Sequence, residues 1–263
     1  MNATSDLINI RRDGACGTIV LNRPERKNAL SRELVQQLSE ALEDFHGERS
    51  VRAVILTGSG DSFCAGTDLN QLKETAESKN ALELWHQDSR ALLELVEKML
   101  RFPKPIIAAV NGWVMGSGVS LMLAADIVVG GDRSQLGLPE ALRGLNPGIT
   151  TPLMSFRIGT AAASKVLYSG LPLTAEDSLR LGLYQEVVEE SLVWARCFEI
   201  ARACAAGARE SHQMTKQLLN ETIGENLFTQ LSIGTANMAA ARTTPAATEG
   251  IAAFLEKRDP QWD

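Results

Sequence analysis

Short apolar runs that fit buried strands alternate with helical patterns over the first two thirds of the chain. The runs VRAVILTG (51–58) and IIAAV (106–110) have the length and composition of strands covered on both faces. Between them, residues 81–102 carry apolar side chains at helical spacing, and Pro103 ends the pattern. This alternation predicts a mixed α/β layer architecture.

The first fifty residues give local signals for the same architecture. Two alternating runs flank Asp13-Gly14, a pair that favours a hairpin turn. Ser31 is predicted to cap the first helix, in which Leu34 and Leu38 begin a helical apolar repeat. We therefore expect a hairpin followed by an amphipathic helix.

From residue 150 onward, strand patterns nearly vanish and helical patterns follow one another to the end of the chain. No linker rich in Gly, Ser or Pro separates this part from the rest. We expect the helical third to pack on the core domain or on a neighbouring subunit.

Composition excludes several functional classes. The 263 residues are 44% hydrophobic with a formal net charge of -6, which predicts a globular chain with little attraction to nucleic acid or to a membrane surface. No run of about 18 apolar residues occurs, and the N-terminal stretch MNATSDLINIRRDG lacks the apolar core of a signal peptide. The four cysteines form no CxxC pair, so we expect reduced thiols in a cytoplasmic protein and no metal site.

Two loops that contain glycine, each following a buried strand, form the candidate site. The first (62–69) reads SFCAGTDL, and the second (111–120) reads NGWVMGSGVS and opens a helix. A helix N-terminus carries unpaired N–H groups that bind an anion or a developing oxyanion, and glycine permits close approach to the backbone. Strand-to-helix turns also use glycine routinely, so each loop taken alone fits a plain connection equally well.

Three functional hypotheses compete for the second loop. A dinucleotide-binding turn requires GxGxxG, and the run Gly116-Ser117-Gly118 lacks the third glycine. A hydrolase nucleophile elbow requires GxSxG, and the run around Ser120 lacks the last glycine, although His212 is available as a base. The third hypothesis joins both loops into one oxyanion hole.

Six segments in order resemble the enoyl-CoA hydratase/isomerase (crotonase) superfamily over nearly the whole chain. They are LNRPERKNAL, VRAVILTGSGDSFCAGTDL, KPIIAAVNGWVMGSGVSLMLAADIVVG, SQLGLPEALRGLNPG, GLPLTAEDSLRLGLYQEVV and EGIAAFLEKRDP. The resemblance implies an α/β fold: a crotonase-like spiral of ββα units over residues 1–195, with a C-terminal helical trimerisation region over 196–263. It also implies an acyl-CoA substrate, no cofactor beyond its coenzyme A moiety, and a homotrimer or a homohexamer made of two trimers.

The resemblance assigns the oxyanion hole to the backbone N–H groups of Thr67 and Ser117. Ser117 stands where the family has the middle glycine of a GGG triplet, and serine retains the N–H that the hole requires. The residues implied in binding substrate or coenzyme A are Arg26, Lys27, Ala29, Ala65, Thr67, Asp68, Leu69, Trp113, Gly116, Ser117 and Pro139. On sequence alone, Asp68 also fits a helix cap, Arg26 and Lys27 fit a solvated pair, and Trp113 fits the core.

The acid/base positions decide the reaction. Members of the family that add water use two glutamates, of which the later is Glu140 here and the earlier is replaced by Ser120. A serine hydroxyl is no base at neutral pH, whereas one carboxylate suffices to move a proton between two carbons of an enolate. The apolar neighbours Leu136, Leu138 and Leu142 are expected to raise the pKa of Glu140 toward neutrality.

The favoured hypothesis is a 3-enoyl to 2-enoyl-CoA isomerase with Glu140 as its single acid/base. A hydratase, or a hydratase-lyase of the hydroxycinnamoyl-CoA type, would use Ser120 together with Glu140. Ser120 fits equally well as a small helix residue bonded to a nearby group. Two alternatives of other classes are a catalytically silent acyl-CoA-binding protein and a serine hydrolase using Ser120 and His212.

Overall fold

The computed structural model describes residues 7–222 and 224–262; residues 1–6, the start of the N-terminal stretch, lie outside the described residues. The strands are β1 (Ile8–Asp13), β2 (Cys16–Leu21), β3 (Ala53–Gly58), β4 (Ser62–Cys64), β5 (Ile106–Val110), β6 (Trp113–Met115), β7 (Ile127–Gly131), β8 (Gln135–Gly137), β9 (Leu173–Thr174) and β10 (Glu186–Val188). The helices are α1 (Arg32–Gly47), α2 (Leu69–Ala76), α3 (Ala81–Arg101), α4 (Ser117–Ala124), α5 (Thr150–Ser169), α6 (Ala175–Arg180), α7 (Val193–Ala206), α8 (Arg209–Gln217), α9 (Glu225–Ala241) and α10 (Pro245–Glu256).

The chain alternates between two sheets in a regular order. The larger sheet has the strand order β1-β2-β3-β5-β7-β10, and the smaller has the order β4-β6-β8-β9. Each repeating unit places one strand in the larger sheet, the next in the smaller sheet, and then a helix: β3-β4-α2, β5-β6-α4 and β7-β8-α5. The predicted α/β class and the spiral of ββα units are therefore confirmed.

Three boundaries predicted from the sequence agree with the structure: the first hairpin turn, the start of α1 and the end of α3. The Asp13-Gly14 turn joins the antiparallel strands β1 and β2, and the Ser31 side chain accepts a hydrogen bond from the N–H of Leu34 at 3.2 Å. Helix α3 ends at Arg101, just before the proline run. The strands β4, β6, β9 and β10 were not predicted, because two or three residues are too few to display a period.

Helices cover both faces of the larger sheet. Side chains of α1 and α3 share one buried cluster with Leu56 and Ala108, while α7 contributes Val193 and Cys197 to a second cluster with Ile107. The predicted boundary between residues 195 and 196 falls inside α7, which packs on this sheet. Helix α9 packs on α3 and α5, and α10 packs on α2. The trimer contacts expected of the C-terminal region remain a prediction.

Membrane insertion finds no support in the helices. Within residues 7–222 and 224–262, none of them combines the length and the apolar character that a membrane crossing requires.

Candidate functional site

The candidate site forms where three neighbouring parallel strands of the smaller sheet end. Strand β4 leads to Gly66 and Thr67, β6 leads to Gly116 and Ser117, and β8 leads to Glu140. Strand β6 pairs with β4 on one side and with β8 on the other. Because the carboxyl ends of parallel strands meet at one edge of a sheet, three segments far apart in sequence converge there.

The two glycine-containing loops touch at Gly66. A β-carbon on Gly66 would lie 2.7 Å from the carbonyl oxygen of Met115 and 3.0 Å from the backbone nitrogen of Ser117. The φ angle of Gly66 is +83°, a conformation that disfavours any side chain. The hydroxyls of Thr67 and Ser117 form a hydrogen bond of 2.9 Å across the same junction. Position 66 therefore requires glycine for both space and conformation.

Two backbone N–H groups at this junction have no hydrogen-bond partner within residues 7–222 and 224–262. Leu30 forms an isolated parallel bridge with Thr67: its N–H donates to Gly66 O at 2.7 Å, and its carbonyl accepts from the N–H of Asp68 at 3.1 Å. This pattern engages the two flanking residues and leaves the N–H of Thr67 without a partner among the described residues. Ser117 is the first residue of α4, so its N–H has no intrahelical acceptor. Both residues line one cavity, as an oxyanion hole requires.

Glu140 faces the same cavity. A β-carbon on Gly116 would lie 3.1 Å from Glu140 Oε1, so the carboxyl group lies directly against the second loop. Its Oε2 atom is buried and has no hydrogen-bond partner among the described residues. Burial raises the pKa of Glu140 to about 7, against the opposing effects of its own backbone N–H and of the charge on Arg143. The carboxyl group is thus poised to exchange a proton near neutral pH.

The apolar neighbours of Glu140 only partly match the expectation. Leu136 and Leu138 are fully buried, as expected for an apolar environment. Leu142 is 52% exposed and therefore does not contribute the expected apolar wall. The burial that raises the Glu140 pKa consequently depends on the other elements that close the cavity.

The cavity has a volume of about 500 Å³ and gathers most of the predicted binding residues. Those that line it are Arg26, Lys27, Ala29, Ala65, Thr67, Asp68, Leu69, Trp113, Gly116, Ser117 and Glu140. Trp113 is 37% exposed and belongs to the cavity wall and not to the core. Pro139 is buried and does not line the cavity, contrary to the expectation from the family motif.

Ser120 does not reach the cavity. Its side chain is fully buried, and its hydroxyl bonds to that of Thr150 at 2.7 Å. His212 lies elsewhere and contacts the carbonyl of Cys204 through Nε2 at 2.9 Å. The structure therefore does not assemble the Ser120–His212 pair that a serine hydrolase would need. Nor is Cys64 an available nucleophile, since it is buried and its burial raises the thiol pKa to about 12.

Asp68 has the structural role that the sequence allowed for it, with an ion-pair partner that was not predicted. Its carboxylate caps α2 by accepting from the N–H of Asn70 at 3.0 Å, and it binds Arg23 at 2.6 Å. Burial would raise the pKa of Asp68, but the hydrogen bond and charge of Arg23 keep it below the usual value. Asn28 lies directly after Arg26 and Lys27, and its buried side chain donates a hydrogen bond to the carbonyl of Ser62 at 2.8 Å. The loop that carries Arg26 and Lys27 is thereby fixed at the cavity.

Sequence reasoning missed the contribution of the chain beyond residue 142. Arg143 stacks over the Phe254 ring at 4.1 Å, and both line the cavity together with Met238 and Arg242. Arg143 follows Glu140 closely in the chain. The packing of α9 and α10 against the spiral brings Met238, Arg242 and Phe254 to the site.

Comparison with known proteins places this geometry in a family. The family model described as "Enoyl-CoA hydratase/isomerase" matches residues 11–263. The chain is 35% identical to the 2,3-dehydroadipyl-CoA hydratase of Escherichia coli, with 93% of each chain covered. It is 32% identical to the 1,2-epoxyphenylacetyl-CoA isomerase of the same organism, covering 93% of this chain and 94% of the relative.

A solved structure of similar fold supports the same family relationship. The enoyl-CoA hydratase/isomerase from Xanthobacter autotrophicus Py2 superimposes with a TM-score of 0.88 at 26% identity. The match covers 97% of this chain and 98% of that chain. The similarity therefore extends over the spiral and over the helices that close the cavity.

Proposed function

This chain belongs to the enoyl-CoA hydratase/isomerase family, and from that premise we propose that it adds water to a 2-enoyl-CoA thioester with Glu140 as its single acid/base. The observation that carries the proposal is the carboxyl group of Glu140, which faces the cavity shared with the free N–H groups of Thr67 and Ser117. Its pKa of about 7 makes both protonation states accessible near neutral pH.

In the proposed reaction, the N–H groups of Thr67 and Ser117 bind the thioester oxygen. The Glu140 carboxylate takes a proton from water as the water oxygen bonds to C3 of the enoyl group. The electron pair of the C2–C3 double bond forms a C1–C2 double bond, and the carbonyl π pair moves onto the thioester oxygen, where the two N–H groups stabilise the negative charge. The Glu140 carboxyl then returns the proton to C2, which completes the addition of one water and regenerates the carboxylate.

The names of the curated relatives favour hydration over the isomerisation expected from sequence. Of eight relatives at 30% identity or more, six are named as hydratases alone, one as an isomerase and one as a hydratase/isomerase. We therefore place hydration first and keep isomerisation as the second candidate.

Isomerisation is favoured by the number of carboxylates at the site. Of the three described carboxylates that line the cavity, Asp68 is held by Arg23 and Glu25 is exposed, which leaves Glu140. In a double-bond shift, Glu140 would take a proton from C2 of a 3-enoyl thioester and return it to C4 of the dienolate. A lyase reaction that uses Ser120 loses support, because the Ser120 hydroxyl is buried against Thr150.

One assay separates these reactions and the catalytically silent alternative. The protein is incubated in ¹⁸O-labelled water with 2-hexenoyl-CoA, 3-hexenoyl-CoA or feruloyl-CoA, and products are identified by mass spectrometry. A 3-hydroxyacyl-CoA carrying ¹⁸O supports hydration. Formation of 2-hexenoyl-CoA from the 3-enoyl substrate supports isomerisation, and an aldehyde from feruloyl-CoA supports the lyase. Binding without turnover of any of the three would contradict the proposal.

A further inference from the structure

Arg242, the residue that ends α9, is buried between two cavities. Its side chain is only 5% exposed, and it lines both the candidate site and a second cavity of about 550 Å³. Met238, one helical turn earlier, also lines both. The second cavity is bounded largely by α1, α2 and α3. Arg242 therefore lies in the wall between the candidate site and the second cavity.

The guanidinium of Arg242 uses little of its hydrogen-bonding capacity. Its Nη1 atom donates to the carbonyl of Trp85 and to the hydroxyl of Ser89, each at 3.3 Å. Among residues 7–222 and 224–262, no other hydrogen bond and no ion pair of this side chain is found. Because a guanidinium has five N–H donors, the three on Nε and Nη2 have no partner among the described residues.

The acidic groups around Arg242 are already engaged. Both carboxylate oxygens of Asp88 bind Arg32, at 2.5 and 2.9 Å. Three other acids line the second cavity: Asp68 pairs with Arg23, Glu94 pairs with Arg90, and Glu40 accepts from the amide of Gln36.

The charge of Arg242 persists at neutral pH. Burial lowers its pKa to about 10, with the charge of Asp88 acting in the opposite direction. A buried charge without an ion-pair partner is costly to the fold, and a ligand of opposite charge would offset that cost.

Arg242 belongs to a different part of the fold from the reacting atoms. It caps the C-terminus of α9, whereas Thr67 and Glu140 follow strands of the smaller sheet. Arg26 and Lys27 are exposed, while Arg242 is enclosed. A thioester held at Thr67 with its coenzyme A toward the exposed residues would thus extend its acyl chain toward Arg242.

We propose that Arg242 binds a carboxylate at the far end of the acyl chain, so that the preferred substrates are ω-carboxyacyl-CoA thioesters. The inference rests on the proposed function for the placement of the thioester. The planar guanidinium can donate two parallel hydrogen bonds to a carboxylate, which gives the contact both strength and direction. Arg242 is a specificity residue in this account and takes no part in proton transfer.

The test compares ligands of equal carbon number that differ only at the far end. Calorimetry measures the affinity for adipoyl-CoA and hexanoyl-CoA, which cannot react, and steady-state kinetics measures their 2-enoyl counterparts. We expect the wild-type protein to prefer the carboxylated member of each pair by about 10- to 100-fold, through Kd and KM. In Arg242→Met this preference disappears from both Kd and KM. The exposed Arg90→Met serves as the matched control and should retain the preference.

The outcomes separate this inference from the proposed function. Equal wild-type affinity for adipoyl-CoA and hexanoyl-CoA, or an equal loss for both in Arg242→Met, would overturn the role of Arg242. Preferential binding of adipoyl-CoA without turnover of any enoyl-CoA would sustain that role and refute the proposed reaction. Arg242→Lys keeps the charge without the planar fork and should show an intermediate preference, which gives a second variant if Arg242→Met does not fold.

Discussion

The hydroxyl groups of Ser120 and Thr150 lie 2.7 Å apart in a buried pair that joins α4 to α5. Thr150 lines the cavity, whereas Ser120 lies behind it. The Ser120 hydroxyl, which the family resemblance made a candidate catalyst, therefore forms a hydrogen bond between two helices. This leaves the chemistry to Glu140 and to the backbone.

Replacing Ser120 by alanine should affect stability more than catalysis. Ser120→Ala removes a buried hydrogen bond, which costs about 1 kcal/mol in the free energy of unfolding. Because the hydroxyl does not reach the cavity, kcat should stay within about threefold of the wild-type value. Urea unfolding and steady-state kinetics on the same preparation measure both effects. A 100-fold loss of kcat in a folded variant would show that Ser120 takes part in catalysis.

The contact between the two loops makes Gly66 a sensitive position. In Gly66→Ala, the new methyl group would lie 2.7 Å from Met115 O and 3.0 Å from Ser117 N, which forces the loops apart. Displacing an oxyanion N–H should lower kcat by about 10²- to 10³-fold.

Gly14→Ala is the matched control for that variant. Gly14 has a φ of +63°, but its added methyl group meets no atom within 4 Å. This variant should therefore show the conformational cost of a side chain without the loss of kcat. If both variants lost activity equally, loop contact would not be the cause.

The titration of Glu140 should make stability depend on pH. Its pKa rises from the ordinary 4.5 to about 7 in the folded protein, so the folded state binds more protons than the unfolded state between these values. The wild-type free energy of unfolding should therefore lose a contribution of up to about 3 kcal/mol as pH rises from 4.5 to 7.

Glu140→Gln isolates that contribution. The variant should gain stability relative to the wild type as pH rises through this window, with no further gain above it. Urea unfolding at pH 5, 6, 7 and 8 measures the difference, and the exposed Glu25→Gln should follow the wild type throughout. A difference that stays constant with pH would show that the folded protein does not raise the Glu140 pKa.

Arg26 should contribute to affinity through charge alone. It is exposed at the cavity, where the resemblance to the family places the phosphates of coenzyme A. Arg26→Ala should raise KM for an acyl-CoA about two- to fivefold with kcat unchanged, and salt should reduce the effect. The exposed Arg11→Ala, on the β1 strand, should leave KM as it is. Equal KM values for all three proteins at low salt would remove Arg26 from the binding site.

The sequence predicted the parts of the site that follow strands directly. Thr67, Ser117 and Glu140 lie within three residues of the ends of β4, β6 and β8, so their convergence follows once these strands are known to be parallel. The orientation of Ser120 could not be predicted, because a helix that is buried all round has no polar face to mark its direction.

The far side of the cavity was not predictable for a different reason. Met238 and Arg242 come from a helix about 100 residues beyond Glu140, and their place depends on how α9 packs against α3 and α5. The partial exposure of Leu142 has the same origin, since it follows from the position of a turn relative to other elements. Such relations between distant elements leave no local pattern in the sequence.

Glu140→Gln is the decisive variant for proton transfer by Glu140, because amide and carboxylic acid have nearly the same shape but the amide cannot act as a base. With a substrate that the wild type turns over, kcat and the Kd for a saturated acyl-CoA are measured for the wild type, Glu140→Gln and Glu25→Gln. We expect kcat to fall by about 10²- to 10⁴-fold in Glu140→Gln alone, while Kd stays within about threefold in all three. Turnover by Glu140→Gln within tenfold of the wild type would contradict proton transfer by Glu140.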